Sequence, residues 1–419
     1  MPRLLFGLFA TLLYAQSDVS LILRRLERLE EENAKLRAEV VALRTKVDSL
    51  TPTVPERLEI AERRIEEQAA TKVEAANRFP IEVSGMALFN TFYNSQGSGG
   101  VDVPTQASAA NNRAAGGLTF RQSIFGLQFH GPRTVFGAAV SGSAFGDFWD
   151  GTTESTGNLS FRVRTAEVAL DWQRRGVTVG LLKPLISPHN PNSFATVGVS
   201  PLTASGNLWR WQPQIRYEER LGGLTLQAAV MQTSEQAGLA NASLAQTRRP
   251  SLQLRSVLMR SRFELGVGGH LSESRVLDQS VPSRVFSLDW LIKPIEKVEI
   301  SGLFFNGSNV HHMGAFRQSF RFDGNGAVGA VRSRGGWAQL AVAATSRISL
   351  NLFAGIHDDR NADLLSGQNG RNRTGGANIM FRVAPNVLLS FETLQTRSLF
   401  LGLSERRVNR YDLSLAYLF

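Results

Sequence analysis

The feature that most constrains the fold is a hydrophobic pattern with a period of two, which runs from residue 81 to the C-terminus. Most of the alternating or apolar segments are long enough for a tilted membrane strand, which needs about 9–11 residues. Sixteen segments are predicted, at 81–94, 117–130, 134–148, 158–172, 175–183, 208–219, 222–234, 251–259, 263–272, 284–293, 296–306, 334–344, 347–357, 374–383, 386–397 and 408–419. No run of about 18 apolar residues occurs, which excludes a bundle of membrane helices.

The predicted connections alternate between long and short without exception. Seven are short turns, and the long ones fall at 95–116, 149–157, 184–207, 235–250, 273–283, 307–333, 358–373 and 398–407. Transmembrane barrels show short turns at one end and long loops at the other. Residues 79–419 are therefore predicted to form an all-β transmembrane barrel of about 16 antiparallel strands.

Composition agrees with a barrel whose alternate residues face lipid. The mean hydropathy is only −0.11, and the chain has 38 glycines and no cysteine. The absence of cysteine excludes disulfides and thiolate metal sites. The net charge of +10 arises within residues 79–419. The predicted barrel places these charges inside a pore and on outer loops, so we predict no nucleic-acid partner.

Residues 1–15 are predicted to be a signal peptide. A single early cation, Arg3, precedes an uncharged stretch from Leu4 to Ala15. This stretch is too short to span a bilayer but suits a signal-peptide core, and small Ala15 suits the residue before cleavage.

Residues 16–78 are predicted to form an α-helical coiled coil, broken near 51–55 by Pro52 and Pro55. Apolar residues recur at steps of three and four, and charged helix formers flank them. The seam is Val19, Ile22, Leu26, Leu29, Asn33, Leu36, Val40, Leu43, Val47 and Leu50.

The oligomeric state of this coil has two interpretations. Valine at position a with leucine at position d favours dimers. In contrast, the segment from Arg25 to Glu30 resembles the signature of short trimeric coiled coils, in which the arginine folds over the seam onto a glutamate of the next chain. We predict a homotrimer.

The polar face of the strands predicts an arginine-bearing lumen. In strands whose lipid-facing residues can be assigned, the alternate residues face the lumen. These lumen-facing positions carry Arg162, Arg164, Arg210, Arg216 and Arg255. Sixteen strands leave a water-filled channel, and fixed positive charge in a low-dielectric wall attracts anions. Two alternatives remain. In the first, some arginines pair with acids of the barrel wall such as Glu167, Asp171, Glu264 and Asp289. In the second, arginines in outer loops bind lipopolysaccharide phosphates; these are Arg321, Arg360, Arg371 and Arg373.

The third long connection, 184–207, carries no charge. It resembles the third outer loop of 16-stranded porins, which folds into the pore. The resemblance implies a constriction lined by His189, Asn190 and Asn192. An ordinary exposed loop is the alternative.

Two strands change parity, between Thr165 and Val168 and again near Ser123. Bulges or a subunit contact would both cause this. The small residues of 134–148 make these early strands the predicted contact between subunits.

The C-terminal strand alternates up to Phe419. An aromatic last residue resembles the terminal signature of bacterial outer-membrane barrels, which implies recognition by the barrel-assembly machinery. No nucleotide loop, zincin motif or nucleophile elbow is present. The six histidines predict no catalytic or metal site, so neither an enzyme nor a cofactor is expected.

Together these features resemble the trimeric outer-membrane porins of the DcaP type, over essentially the whole chain. The resemblance implies a trimer with a periplasmic coiled coil that passes small anions such as carboxylates, and an outer-membrane location. The alternative is a structural protein that tethers the outer membrane to the cell wall through the coil. A trimeric adhesin fits less well, because adhesins contribute only a few strands per chain.

Overall fold

The computed structural model divides into two units, residues 1–78 and 79–419. It describes residues 24–45, 81–98, 100–110, 113–131, 136–149, 160–232, 245–246, 249–315 and 318–419. The predicted signal peptide, the break at 51–55, and Val19, Ile22, Val47 and Leu50 of the predicted seam lie outside these residues.

The N-terminal unit contains an α-helix, α1, at 24–45. Its predicted seam residues are solvent-exposed in the single chain, with Leu29 at 56% and Leu36 at 58% exposure. One i,i+4 pair, Arg28–Glu32 at 3.7 Å, adds little stability because both side chains are exposed. Most of the stability of a helix in a protein comes from packing of its apolar face. Among the described residues, no helix combines the length and apolar character needed to cross a bilayer.

The second unit is a closed barrel of sixteen antiparallel strands, which confirms the predicted architecture. The strands are β1 Ile81–Asn94, β2 Ala115–Thr119 with Ile124–His130, β3 Ala139–Asp147, β4 Arg162–Asp171, β5 Arg175–Leu182, β6 Gln212–Leu221, β7 Leu224–Met231, β8 Ser251–Arg260, β9 Phe263–Val276, β10 Gln279–Ile295, β11 Val298–Ser308, β12 Arg332–Ala343, β13 Ile348–Asp359, β14 Asn369–Ala384, β15 Val387–Phe400 and β16 Arg406–Leu418. Each pairs with its sequence neighbour.

Pairing of the first and last strands closes the barrel. β1 and β16 are in register from Met86 opposite Leu418 to Asn94 opposite Arg410. Gly85 and Phe419 extend the ladder through two backbone hydrogen bonds of 2.9 and 3.2 Å. Closure leaves the sixteen barrel strands without a free first or last edge, which a bilayer requires because it offers no water to unpaired backbone groups.

Exposed and buried side chains alternate along the strands. On β16, Tyr411, Leu413, Leu415 and Tyr417 point outward and are 46–51% exposed, whereas the residues between them are buried against the interior. A continuous apolar exterior of this kind is disfavoured in water and suits lipid.

Both predicted parity changes coincide with irregular backbone. β2 is interrupted at 120–123, and its two parts pair separately with β1. In the pairing of β3 with β4, Phe145 faces Thr165 and Gly146 faces Val163, so Arg164 is the extra residue of a bulge.

Three details of the sequence prediction are wrong. The connection 273–283 is not a loop, because β9 and β10 continue into a hairpin whose turn residues Leu277 and Asp278 have φ of 48° and 64°. Val276, Val281 and Phe320 form an apolar cluster on this hairpin. Arg371 and Arg373 lie in β14, not in a loop.

The third error concerns the start of β6. This strand begins at Gln212, so Arg210 lies in the preceding loop. Trp209 and Trp211, which precede the strand, pack inside the barrel with Trp149.

Candidate functional site

The connection between β5 and β6, residues 183–211, folds into the barrel and is called the lumen loop here. Its contacts reach opposite parts of the wall. The Leu185 amide donates to Gln253 Oε1 on β8 at 2.7 Å, and the Asn192 amide donates to Gln339 Oε1 on β12 at 2.6 Å. Asn90 Nδ2 on β1 donates to the Phe194 carbonyl at 2.8 Å. The loop therefore crosses the lumen.

Gln122, in the interruption of β2, is a principal anchor of this loop. Its Oε1 accepts from the amides of Val197 and Gly198 at 2.6 and 2.8 Å. Its Nε2 donates to the Ala195 carbonyl at 3.1 Å. The break in β2 thus lets a fully buried amide side chain turn inward and satisfy loop backbone groups that would otherwise be orphaned.

The far side of the lumen loop belongs to an apolar core inside the barrel. Ile186, Leu202 and Leu208 of the loop pack on Phe305 and Phe353 of the wall. A second inward segment, within the connection 309–331, adds Val310, Met313 and Ala315 to this core. Packed apolar side chains therefore fill the lumen on this side of the loop.

A cavity of about 500 Å³ lies between the lumen loop and the wall of β1–β4. Two cations, Arg164 and Lys183, lie in its lining together with Asn190, Ser200 and Trp211, and no carboxylate side chain is among the lining residues. Because the surroundings have a low dielectric, each unit of fixed charge produces a strong field inside the cavity.

Arg164, the extra residue of the bulge in β4, lines the cavity. Its Nη1 donates to Asp147 Oδ2 at 3.0 Å and to the Val197 carbonyl at 2.9 Å. Arg162 binds the same carboxylate at 2.6 Å. The guanidinium of Arg164 stacks 4.7 Å from the Trp211 ring, a cation–π arrangement that orients it. Two arginines against one aspartate leave one net positive charge.

Lys183, the first residue of the lumen loop, supplies the second charge. Its Nζ lies 2.8 Å from the side-chain amide of Asn190. Burial, and secondarily the positive charge of Arg164, lower the pKa of Lys183 to about 8. Among the described residues no carboxylate forms an ion pair with it. We missed this residue in the sequence, although it is one of only three lysines after residue 78.

Arg210 and Arg216 lie near this region without lining the cavity itself. Arg216 Nη2 donates to the Lys183 carbonyl at 2.8 Å, which places its charge next to the start of the lumen loop. Burial, and then Arg162, lower the pKa of Arg210. Both residues add positive charge to the same side of the lumen.

Arg255 has a different environment from the other four arginines. It contacts Asp289 at 2.6 Å and Glu264 at 2.7 Å, and only 5% of its side chain is exposed. This is the pairing with wall acids that the sequence left open. His189 lies 3.4 Å from Glu264, so the cluster carries no excess of positive charge.

The three predicted constriction residues are distributed between the cavity and the wall. Asn190 lines the cavity. Asn192 Nδ2 donates to Asn351 Oδ1 at 3.1 Å, and His189 reaches the Arg255 cluster, so both hold the loop to the wall. His189, Glu264 and Asp289 form a group with metal-ligating atoms, but Arg255 already donates hydrogen bonds to both carboxylates, and we assign no metal to them.

Comparison with solved structures identifies the fold. The outer membrane channel DcaP of Acinetobacter baumannii matches with a TM-score of 0.68 at 15% identity, covering 81% of this chain and 97% of that one. An anion-selective porin from Comamonas acidovorans matches with a TM-score of 0.59 at 12% identity, covering 81% and 99%. The loop L8 deletion mutant of OmpT, an outer membrane protein of Vibrio cholerae, matches with a TM-score of 0.53 at 8% identity, covering 81% of this chain and 99% of that one.

The chain therefore has the 16-stranded barrel fold of outer-membrane porins. The predicted likeness to DcaP-type porins is confirmed at the level of this fold. No protein-family model matches the sequence, and no curated protein matches it.

Proposed function

We propose that this protein is an outer-membrane porin that forms an anion-preferring channel for small solutes such as carboxylates or phosphate. The observation that carries the proposal is the cavity beside the lumen loop, which has Arg164 and Lys183 in its lining and no carboxylate. Similarity in fold to an anion-selective porin supports it. The role is passive diffusion, without a cofactor or a catalytic step.

The physical basis of the preference is a fixed field in a narrow, low-dielectric passage. Positive charge raises the local anion concentration and opposes cation entry. The net charge left by Arg162, Arg164 and Asp147 and the charge of Lys183 act on the passage directly. Arg210 and Arg216 contribute at longer range, whereas the proposed selectivity role is weakest for Arg255, since two carboxylates neutralise it.

The assembly we propose is a homotrimer. Residues 1–15 are a signal peptide, residues 16–78 form a three-stranded periplasmic coiled coil, and residues 79–419 form the barrel. The exposure of Leu26, Leu29 and Leu36 in the single helix supports a coil with partner chains. The early strands supply the contact between barrels, and Phe419 is the residue read by the barrel-assembly machinery.

Planar-bilayer recording of the full-length protein tests the function. Under a KCl gradient of about tenfold at low total salt, where screening is weak, we expect conductance in groups of three and a reversal potential of the sign for anion preference. The double variant Lys183→Gln/Arg164→Gln should lose most of this preference. Lys297→Gln, at a short turn remote from the cavity, is the control.

Cation preference of the wild-type channel would contradict the proposal. No conductance from a folded barrel would favour the alternative, in which the protein tethers the outer membrane to the cell wall through the coil. Pull-down of the full-length protein with purified peptidoglycan would then separate a tether from a closed transporter.

A further inference from the structure

The outward face of the barrel carries a patch of arginines near the long-loop end, on strands β12 to β16. Their strand neighbours Ser333, Thr374, Thr396 and Val408 are buried, which fixes the arginines on the opposite, outward side of the sheet. We call the following six the arginine patch: Arg332, Arg334, Arg371, Arg373, Arg397 and Arg407.

The positive charge of the arginine patch is only partly compensated. Arg334 contacts Asp358 at 3.1 Å, Arg332 contacts Asp363 at 2.7 Å, and Arg373 and Arg397 share one carboxylate, that of Glu405, at 2.7 and 3.9 Å.

Arg371 and Arg407 have no carboxylate partner among the described residues. The Nε of Arg371 is buried and makes no hydrogen bond there. The patch therefore has a surplus of guanidinium donors, of which one is already desolvated and unsatisfied, a state that an incoming acceptor would relieve.

Two adjoining hollows run beneath these side chains. The upper one, about 550 Å³, is lined by Arg332, Arg334, Arg360 and Arg371 together with Asp358 and Asp359, so cations outnumber carboxylates by four to two. The lower one, about 400 Å³, lies between Arg373 and Arg397 over small residues such as Ala354 and Gly375. A methyl group added at Gly375 would meet no atom within 4 Å, so this groove in the wall is open.

The hollows lie at the boundary between apolar and charged surface. Along β13, outward residues proceed from Leu350 and Leu352, which are 43% and 60% exposed, through Ile356 at 40% to Asp358 beside the arginine patch. Lipid headgroups occupy such a boundary in a membrane. The groove continues from the arginines into the apolar wall, as the headgroup and acyl chain of one molecule would require.

We infer that the arginine patch and the groove under it bind a phosphorylated membrane lipid, with the phosphates on Arg371 and its neighbours and an acyl chain over Ala354 and Gly375. Arginine suits this role because its planar guanidinium binds phosphate oxygens at two points. The surplus of positive charge favours an anionic partner, and the apolar groove favours a lipid over a free ion. The inference concerns the outer wall and does not depend on ion selectivity in the lumen.

Binding of a bis-phosphorylated lipid A to the full-length protein in detergent tests the inference, measured by native mass spectrometry beside the same lipid with its phosphates removed. The variant Arg371→Gln/Arg397→Gln leaves Glu405 paired with Arg373. We expect its affinity for the phosphorylated lipid to fall about tenfold per lost arginine contact.

Two further variants separate the contributions. Arg174→Gln/Arg175→Gln removes two exposed arginines near the short turns, which contact Glu219 at 2.8 and 3.1 Å, and should leave lipid binding unchanged. Gly375→Val fills the lower hollow without removing charge and should weaken binding of the intact lipid. Thermal unfolding of each variant verifies that the barrel is folded.

Four results would overturn the inference. The first is equal binding of the phosphorylated and dephosphorylated lipids. The second is undiminished binding by Arg371→Gln/Arg397→Gln in a folded barrel. The third is displacement of the lipid by inorganic phosphate at equal concentration, which would assign the patch to a free anion. The fourth is a change in the oligomeric mass of this variant without a change in lipid binding, which would assign the patch to another copy of the chain.

Discussion

At the scale of single residues, the two cations of the cavity differ in what holds them in place. Arg164 has a carboxylate, a carbonyl and an indole ring around it, so the position of its charge is fixed. Lys183 has only a polar amide beside its Nζ, and burial makes its charge easy to remove. Their contributions to selectivity should therefore separate with pH.

We expect anion preference to decrease as pH rises through about 8, the pKa of Lys183. Below this pH the ammonium is charged and attracts anions; above it the neutral amine does not. Reversal potentials recorded from about pH 6 to about pH 10 measure the change. Lys183→Arg should remove the pH dependence and keep the preference, and an unchanged profile in Lys183→Gln would contradict the assignment.

Arg164→Gln and Arg255→Gln should have opposite phenotypes. Arg164→Gln leaves Asp147 paired with Arg162, so the barrel should remain stable while anion preference decreases. Arg255→Gln leaves Asp289 and Glu264 without their cation, and loss of one member of a buried ion pair costs about 3–5 kcal/mol. Unfolding in denaturant and reversal potentials of both variants check this, and a stable Arg255→Gln barrel with altered selectivity would refute it.

At the scale of elements, the lumen loop is held by side chains that belong to distant strands. Gln122 alone makes three hydrogen bonds to its backbone. Each is worth about 1 kcal/mol, and the loop groups left unpaired add to the loss. A single amide therefore determines much of the loop's rigidity.

We expect Gln122→Ala to loosen the lumen loop without unfolding the barrel. Single-channel recordings should show larger current fluctuations and a wider distribution of conductance than the wild type. Gln128→Ala is the matched control, because Gln128 bonds Ser84 near the short turns, away from the loop. A quiet channel in Gln122→Ala would show that the other anchors suffice.

The strands could be predicted from sequence because a period of two is a local property of each segment. The hairpin of β9 and β10 could not, since Val276 and Val281 are covered by Phe320 from a distant connection. The inward position of Trp209 likewise depends on Val103 and Trp149. The polar composition near 273–283 suggested a loop, whereas the two strands stay hydrogen-bonded to each other up to the turn.

Prediction of the candidate site was limited in the same way. Alternation predicted that Arg162, Arg164, Arg216 and Arg255 face inward, and they do. Which of these charges is neutralised depends on Asp147 and Asp289, which come from other strands and whose pairing no periodicity reveals. Lys183 was missed because it lies at the end of a strand, where the alternation of apolar and polar residues stops and no longer indicates which way a side chain points.

At the scale of the whole molecule, the two units raise separate questions of assembly. The barrel closes on itself and satisfies its own backbone, so it needs no partner for its hydrogen bonds. The helix at 24–45 buries none of its apolar residues in the single chain. If the coil joins three chains, changes in its seam should alter the oligomer and leave each barrel folded.

The variant Leu29→Asp/Leu36→Asp places charge in the predicted seam and should dissociate the coil. Native mass spectrometry of the full-length protein in mild detergent measures the remaining oligomer. Ala38→Asp, on the outer side of the same helix by the heptad assignment, is the control and should retain the wild-type mass. Identical masses for both variants would show that the barrels alone hold the trimer or that the coil does not join chains.

Trp211 has a further consequence, because an indole that lines the cavity is a natural optical reporter. The chain has 6 tryptophans, and Trp211 is the one that shares the cavity lining with both cations. Iodide, an anionic quencher, should reduce its emission more strongly than caesium does. The difference should vanish in Trp211→Phe, so that fluorescence titration would report solute entry without any electrical recording.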